Sequence, residues 1–117
     1  MSLSFSSLYK VKKKREYRKI FKARNRIIGK HINVDYTLNN FNYMRLGLTV
    51  SSKFAKANKR NKFKRQIREV FRVIKSKENL SIDINISPRS DAVNSTFLDL
   101  NNELDSMILQ IKKSLKK

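Results

Sequence analysis

Apolar and polar positions along the chain change period several times, and each change marks an element. From Lys13 to about Arg24 the period is helical: Tyr17 and Phe21 stand four apart with Ile20 beside them, so the three share one face. His31 to Leu38 alternates, with Ile32, Val34, Tyr36 and Leu38 on one side and Asn33, Asp35 and Thr37 on the other, which predicts a strand. Asn39 and Asn40 suit a turn, because Asn tolerates left-handed backbone. Arg45 to Ser51 predicts a second strand through Leu46, Leu48 and Val50. The short link between the two predicts an antiparallel pair.

Asn58 to Lys75 is the strongest helix in the chain. Phe63, Ile67, Val70, Phe71 and Ile74 form one apolar stripe, and Asn58 fits an N-cap. Ser81 to Ser87 alternates through Ile82, Ile84 and Ile86 until Pro88, which cannot donate to a ladder. Ser95 to about Leu115 is amphipathic through Phe97, Leu100, Leu104, Ile108 and Ile111, with Thr96 and Asp99 spaced as a capping box. The order helix, strand, strand, helix, strand, helix predicts α+β, with helices on a small mixed sheet of three to four strands. At 117 residues one domain spans the chain, with residues 1–12 a basic N-terminal arm that is a candidate for disorder.

Charge changes this picture most. There are 28 Lys and Arg against 9 Asp and Glu, a formal charge of +19. Such an excess repels itself and is relieved by a polyanion: nucleic acid or an anionic membrane. Residues 10–30 hold eleven basic residues and residues 53–77 another eleven, each stretch with a single acid, Glu16 and Glu69. Once the apolar stripe of the middle helix faces the core, Arg60, Lys64 and Arg68 face solvent. Most charged faces are merely solvated, but those mix signs, and this one suits a phosphate backbone. Tyr17 and Phe21 read first as core, since aromatics at helical spacing usually pack. The alternative is a stacking platform for single-stranded bases.

Other chemistry is scarce. There is no cysteine, His31 is the only histidine, and Gly29 and Gly47 stand alone. That excludes disulfides, thiol nucleophiles, histidine-based triads and a glycine-rich phosphate loop. No metal or cofactor motif is recognisable. His31 reads as a strand residue, not a general base. No run is long and apolar enough to span a bilayer, and residues 1–14 lack a signal-peptide core, so a cytoplasmic location is expected.

One stretch is more specific than a basic helix. Arg45–Leu46–Gly47–Leu48–Thr49–Val50–Ser51–Ser52–Lys53 runs into Ala57–Asn58–Lys59–Arg60–Asn61–Lys62–Phe63–Lys64–Arg65–Gln66–Ile67–Arg68–Glu69–Val70–Phe71. It resembles the bacterial ribonuclease P protein component, in which an Arg–aliphatic–Gly–aliphatic strand precedes a helix opening on an Arg–Asn–Arg signature. The resemblance extends upstream to Tyr17, Phe21 and Lys22 and downstream through the last strand and helix. Departures are Lys62 for the second signature Arg, Ser52–Lys53 for a frequent Lys pair, and Ala55–Lys56 before the helix. Arg24 stands near a usual Gly.

The resemblance implies a small α/β sandwich like that of a small-subunit ribosomal protein, with a left-handed βαβ crossover and a short extra strand at Arg26–Ile28. It implies the protein subunit of an endoribonuclease whose chemistry is carried by RNA, which removes the 5′ leader of precursor tRNA. The partners implied are that catalytic RNA and precursor tRNA, with Mg2+ serving the RNA. Lys56, Lys59, Arg60, Asn61, Lys62, Lys64, Arg65 and Arg68 would bind the catalytic RNA. Tyr17, Phe21, Val34, Tyr36 and Lys53 would line the leader cleft, so Tyr17 and Phe21 would be partly exposed. The competing readings are a ribosomal or other structural-RNA-binding protein, a helix-turn-helix DNA binder and, weakest, a membrane-surface protein.

Overall fold

Five consecutive residues, Ile82 to Ile86, are buried, and only a strand covered on both faces has that property. The computed structural model of the protein, which describes residues 9–115, places this strand inside a four-stranded sheet. The elements are α1 (Lys14–Lys22), β1 (Asn25–Ile28), β2 (Ile32–Leu38), β3 (Arg45–Leu48), α2 (Ala57–Lys75), β4 (Ile82–Pro88), a 3-10 turn (Ser90–Asn94) and α3 (Phe97–Leu115). The sheet order is β1-β2-β4-β3, so the α+β expectation holds with four strands and includes the short extra one.

The expected pairing of the second and third strands is wrong. β4 lies between them, antiparallel to β2 and parallel to β3. The link between β2 and β3 does turn at Asn39, but over the end of β4. The Asn39 N–H donates to the Ser81 carbonyl at 2.9 Å, and its amide donates to the Asp83 carboxylate at 2.8 Å. Asn39 Oδ1 accepts the Phe41 N–H, closing an Asx turn.

The two faces of the sheet differ. Ile32, Val34, Leu46, Ile82, Ile84 and Ile86 face α2 and α3 and form the main core with Phe63, Ile67, Val70, Phe71, Ile74, Leu100, Leu104 and Ile108. The other face carries Asp35, Thr37, Asp83 and Asn85, all buried although polar. α1 lies across it, with Ile20 fully buried and the Tyr17 ring against Gly47. A Cβ at Gly47 would sit 2.7 Å from that ring, so only glycine permits this approach.

Three local readings need correction. α2 starts at Ala57 with Lys56 as its N-cap, and Asn58 lies inside the first turn. Within the expected N-terminal arm, residues 9–12 are described and are fastened to the fold. Val11 is buried and its N–H donates to the Leu46 carbonyl, while Lys10 forms a parallel bridge to Leu46 on the free side of β3. Residues 1–8 lie outside the described residues. His31 precedes β2, and its Nδ1 stands 3.1 Å from Glu103 Oε1. That carboxylate, on α3, also accepts the N–H groups of Lys30, His31 and Ile32 and so closes the β1–β2 turn.

The Thr96–Asp99 capping box forms as expected, with reciprocal bonds of 3.1 and 2.9 Å. Those bonds hold the Asp99 carboxyl below its ordinary range, the Thr96 N–H first among the causes. After α1 the chain reverses through Arg24, the only described non-glycine residue with positive φ (55°). A side chain in the left-handed region costs about 1–2 kcal/mol, which glycine avoids. Arg24→Gly is therefore expected to stabilise the protein by about 0.5–1 kcal/mol in urea unfolding, once the entropy of the freer unfolded chain is deducted.

Candidate nucleic-acid interface

α1 is short and polar, so its position depends on specific contacts. Glu16 takes the N–H groups of Lys12 and Lys13 at 3.1 and 3.0 Å, capping the helix. Its other carboxylate oxygen meets Arg45 Nη1 at 3.0 Å. Arg45 in turn grips Asp83 of β4 in a fork, Nε at 2.8 Å and Nη2 at 2.6 Å. One guanidinium thus ties α1, β3 and β4 together in the planar geometry that lysine cannot reproduce.

Behind this clamp lie the aromatic residues. Phe21 is 45% exposed, while Tyr17 is half-buried with its hydroxyl donating to the Val11 carbonyl at 3.2 Å. With Lys14, Arg18, Leu48 and Thr49 they line an open pocket of about 550 Å³ between α1 and β3. Tyr17 also lines a smaller cavity of about 180 Å³ on its other side, where Lys10, Lys64 and Arg68 converge over Leu46 and Leu48. The aromatic pocket and the basic helix are thus joined through one ring.

Along α2 the outward positions Lys59, Asn61, Lys62 and Arg65 are exposed, as is the N-cap Lys56. The first turn contains no acid, so cations crowd the positive end of the helix dipole. That is unfavourable within the free protein and favourable toward phosphate. The lone acid on this helix, Glu69, pairs with Arg72 at 3.2 Å. Arg60 differs from its neighbours: its guanidinium donates to the Ala55 carbonyl at 2.7 Å and braces the loop entering the helix.

The expected leader residues do not all meet. Tyr17 and Phe21 share the pocket, and exposed Lys53 lines an adjoining opening that shares Thr49 with it. Val34 is fully buried in the main core and Tyr36 packs against that core, both opposite α1. The reason is parity: Val34 and Tyr36 pair with Ile86 and Ile84, whereas α1 covers the face of Asp35, Asn85 and Gly47. The floor beneath α1 is therefore polar. Burial pushes the Asp35 carboxyl up against the opposing pull of Arg26, and Asn33 Oδ1, Asp35 Oδ2 and Asn85 Nδ2 lack partners among the described residues. Sequence reasoning missed Lys10, Lys14, Arg18, Leu48 and Thr49 as lining residues. The motif strand holds the last two, and their place beside α1 was the available signal. Among the described residues there is no group of three or more His, Cys, Asp or Glu able to hold a metal, and no helix long and apolar enough to cross a membrane.

The clamp titrates. The Lys13 N–H first, then the Lys12 N–H and Arg45, lower the Glu16 carboxyl from its ordinary 4.5 to about 2, against some desolvation. A depressed carboxylate contributes stability above its unfolded value and loses it as pH falls through its folded value. The wild type is expected to lose stability between about pH 4.5 and 2, and Glu16→Gln to lose a smaller increment there. Paired urea melts across that range measure the difference.

Comparison with known proteins places this arrangement. A profile of the family described as ribonuclease P matches residues 5–112. The ribonuclease P protein component of Syntrophus aciditrophicus (strain SB) is 32% identical over 106 residues, covering 91% of this chain and 89% of that one. The protein of the same name from Staphylococcus aureus (strain COL) is 38% identical over 111 residues, covering 93% and 94%. The solved Staphylococcus aureus RNase P protein superposes with a TM-score of 0.76 at 36% identity, covering 90% of this chain and 95% of that one. The Thermotoga maritima RNase P protein does so with a TM-score of 0.76 at 30% identity, covering 84% and 93%.

Proposed function

The chain belongs to the bacterial ribonuclease P protein family, the protein component of the endoribonuclease that processes tRNA 5′ ends, and we propose that it acts as a two-sided clamp between two RNAs. One side is the outward surface of α2, where Lys56, Lys59, Asn61, Lys62 and Arg65 take the phosphates of the catalytic RNA. The other is the pocket of Tyr17 and Phe21, where the single-stranded leader of precursor tRNA stacks. Lys64 and Arg68 stand at the junction and neutralise the backbone as it passes between the sides. Arg60 supports the first side by fixing the loop before α2. No protein side chain is assigned a chemical step, and the cleavage and its Mg2+ belong to the RNA.

The observation that carries this reading is Tyr17, whose ring lines both the aromatic pocket and the cationic cavity that leads to α2. Two polyanions repel, and a surface of one sign between them screens that repulsion and releases counterions from both. Stacking adds roughly 1–3 kcal/mol per base and is tolerant of sequence, which suits a leader that differs from one tRNA to the next. A structural-RNA-binding protein with no role in cleavage would share the charge, but family membership disfavours it.

The test is precursor tRNA cleavage by the cognate catalytic RNA at low Mg2+, with and without the protein. Wild-type protein is expected to stimulate cleavage strongly. Phe21→Ala is expected to weaken precursor binding roughly five- to a hundredfold, the stacking contribution of one base, and to leave mature tRNA binding unchanged. Equal loss for both ligands would remove Phe21 from the leader side. Arg65→Ala is expected to weaken assembly with the catalytic RNA and to lower the dependence of log affinity on log salt by about 1.

A further inference from the structure

Beside the aromatic pocket is an opening of about 350 Å³ that the charge of the protein does not explain. It forms where β3 ends beside its parallel neighbour β4, which runs on for two residues. The ladder closes at Leu48 and Ile86, the Thr49 N–H still reaches the Ile86 carbonyl at 3.1 Å, and β4 then continues to Pro88 against β2 alone. Thr49, Ser51, Ser87 and Ser90 line the gap, with Lys53, Pro88 and the ring of Phe54. Four hydroxyls and one cation are an odd lining on a surface otherwise crowded with Lys and Arg.

Serines often serve turns, and two of these groups have internal tasks. Ser51 Oγ accepts the Lys53 N–H at 3.1 Å, and Thr49 Oγ1 donates to Asn85 Oδ1 at 3.0 Å. The hydroxyls of Ser87 and Ser90 are not engaged by any other described residue. A pocket for phosphate would present several cations. A pocket lined by hydroxyls matches a neutral ligand that both donates and accepts, as a hydroxyl does. Thr49 is common to this opening and to the pocket of Tyr17 and Phe21, so a strand stacked in one continues into the other.

We infer that this opening receives the ribose of a leader nucleotide, Ser87 and Ser90 meeting its 2′-hydroxyl and Lys53 an adjoining phosphate. The inference rests on the leader reading above and deepens it. Stacking on Tyr17 and Phe21 is blind to the sugar, whereas the 2′-hydroxyl distinguishes RNA from DNA. The protein then contributes a sugar check at one place in the leader, independent of base identity.

The experiment uses the assembled holoenzyme and precursor tRNAs in which leader nucleotides are replaced one at a time by 2′-deoxy or 2′-O-methyl nucleotides. At one or two adjacent positions, deoxy substitution is expected to weaken binding about three- to tenfold, the effect of a lost hydrogen bond. The 2′-O-methyl substitution, which removes the donor and adds bulk, is expected to weaken it at the same positions. Because both series use the wild-type protein, folding of a variant does not enter. In Ser87→Ala/Ser90→Ala holoenzyme, checked for an unchanged melting temperature, ribose and deoxyribose are expected to bind alike. Indifference to the sugar at every position, while the leader still tightens binding, overturns this assignment and leaves the leader reading intact. A deoxy effect that persists in the double variant assigns the contact to the RNA subunit and also overturns it. A leader that adds no affinity at all removes the leader reading together with this pocket.

Discussion

Arg45 lies between two carboxylates that belong to different layers, Glu16 of α1 and Asp83 of the central strand β4. Everything on the far side of the sheet depends on that contact. α1 has nine residues, too few to be stable as an isolated helix, and only Ile20 on it is fully buried. Its amphipathic face does not cover the main core. It rests on a floor of Asp35, Thr37, Asp83 and Asn85, where apolar burial gives little adhesion. Hydrogen-bonded ion pairs therefore place the helix, and the helix places Tyr17 and Phe21. The hydrophobic effect builds the other half of the molecule, where α2 and α3 press onto the isoleucines of β4.

The same division explains how a chain with so few acids uses them. Glu16 and Asp83 hold Arg45, Glu103 closes the turn before β2, and Asp99 caps α3. Glu78 pairs with Lys112 at 3.0 Å, and Asp35 stands 3.5 Å from Arg26. These carboxylates serve internal joints, and little negative charge is left to mask the lysines and arginines of α2. The positive field at the surface is thus a consequence of how the interior is fastened. It is also a field that opposes the compact state until an anion neutralises it.

How much of this could be read in advance follows from which forces act locally. The stripe Phe63–Ile67–Val70–Phe71–Ile74 and the alternation Ile82–Ile84–Ile86 each report one buried face, and every helix and strand but β1, which only the resemblance implied, was legible from such patterns. Strand order was not, because β4 comes 33 residues after the end of β3 and still inserts beside it. Nor could period alone say which face of β2 lies under α1. Both faces are covered, and the one beneath the helix is polar; the alternation grouped Val34 and Tyr36 with the core residue Ile32, and it was the resemblance that set them in the cleft. The motif resemblance identified the helix and the aromatic pair. It did not reveal Lys10, which the chain brings to the site through a bridge to Leu46.

That bridge has a further consequence. β3 is one of the two outer strands of the sheet, short and mostly apolar, and unpaired outer strands invite neighbouring molecules to add to them. The segment through Lys10 and Val11 lies along it, with the Val11 N–H on the Leu46 carbonyl and a lysine facing the cavity. Lys10 and Val11 are therefore a selvedge as well as a source of charge: they finish this edge of the sheet against intermolecular pairing. The same short segment that brings a lysine to the cavity thus guards the strand beside it against self-association.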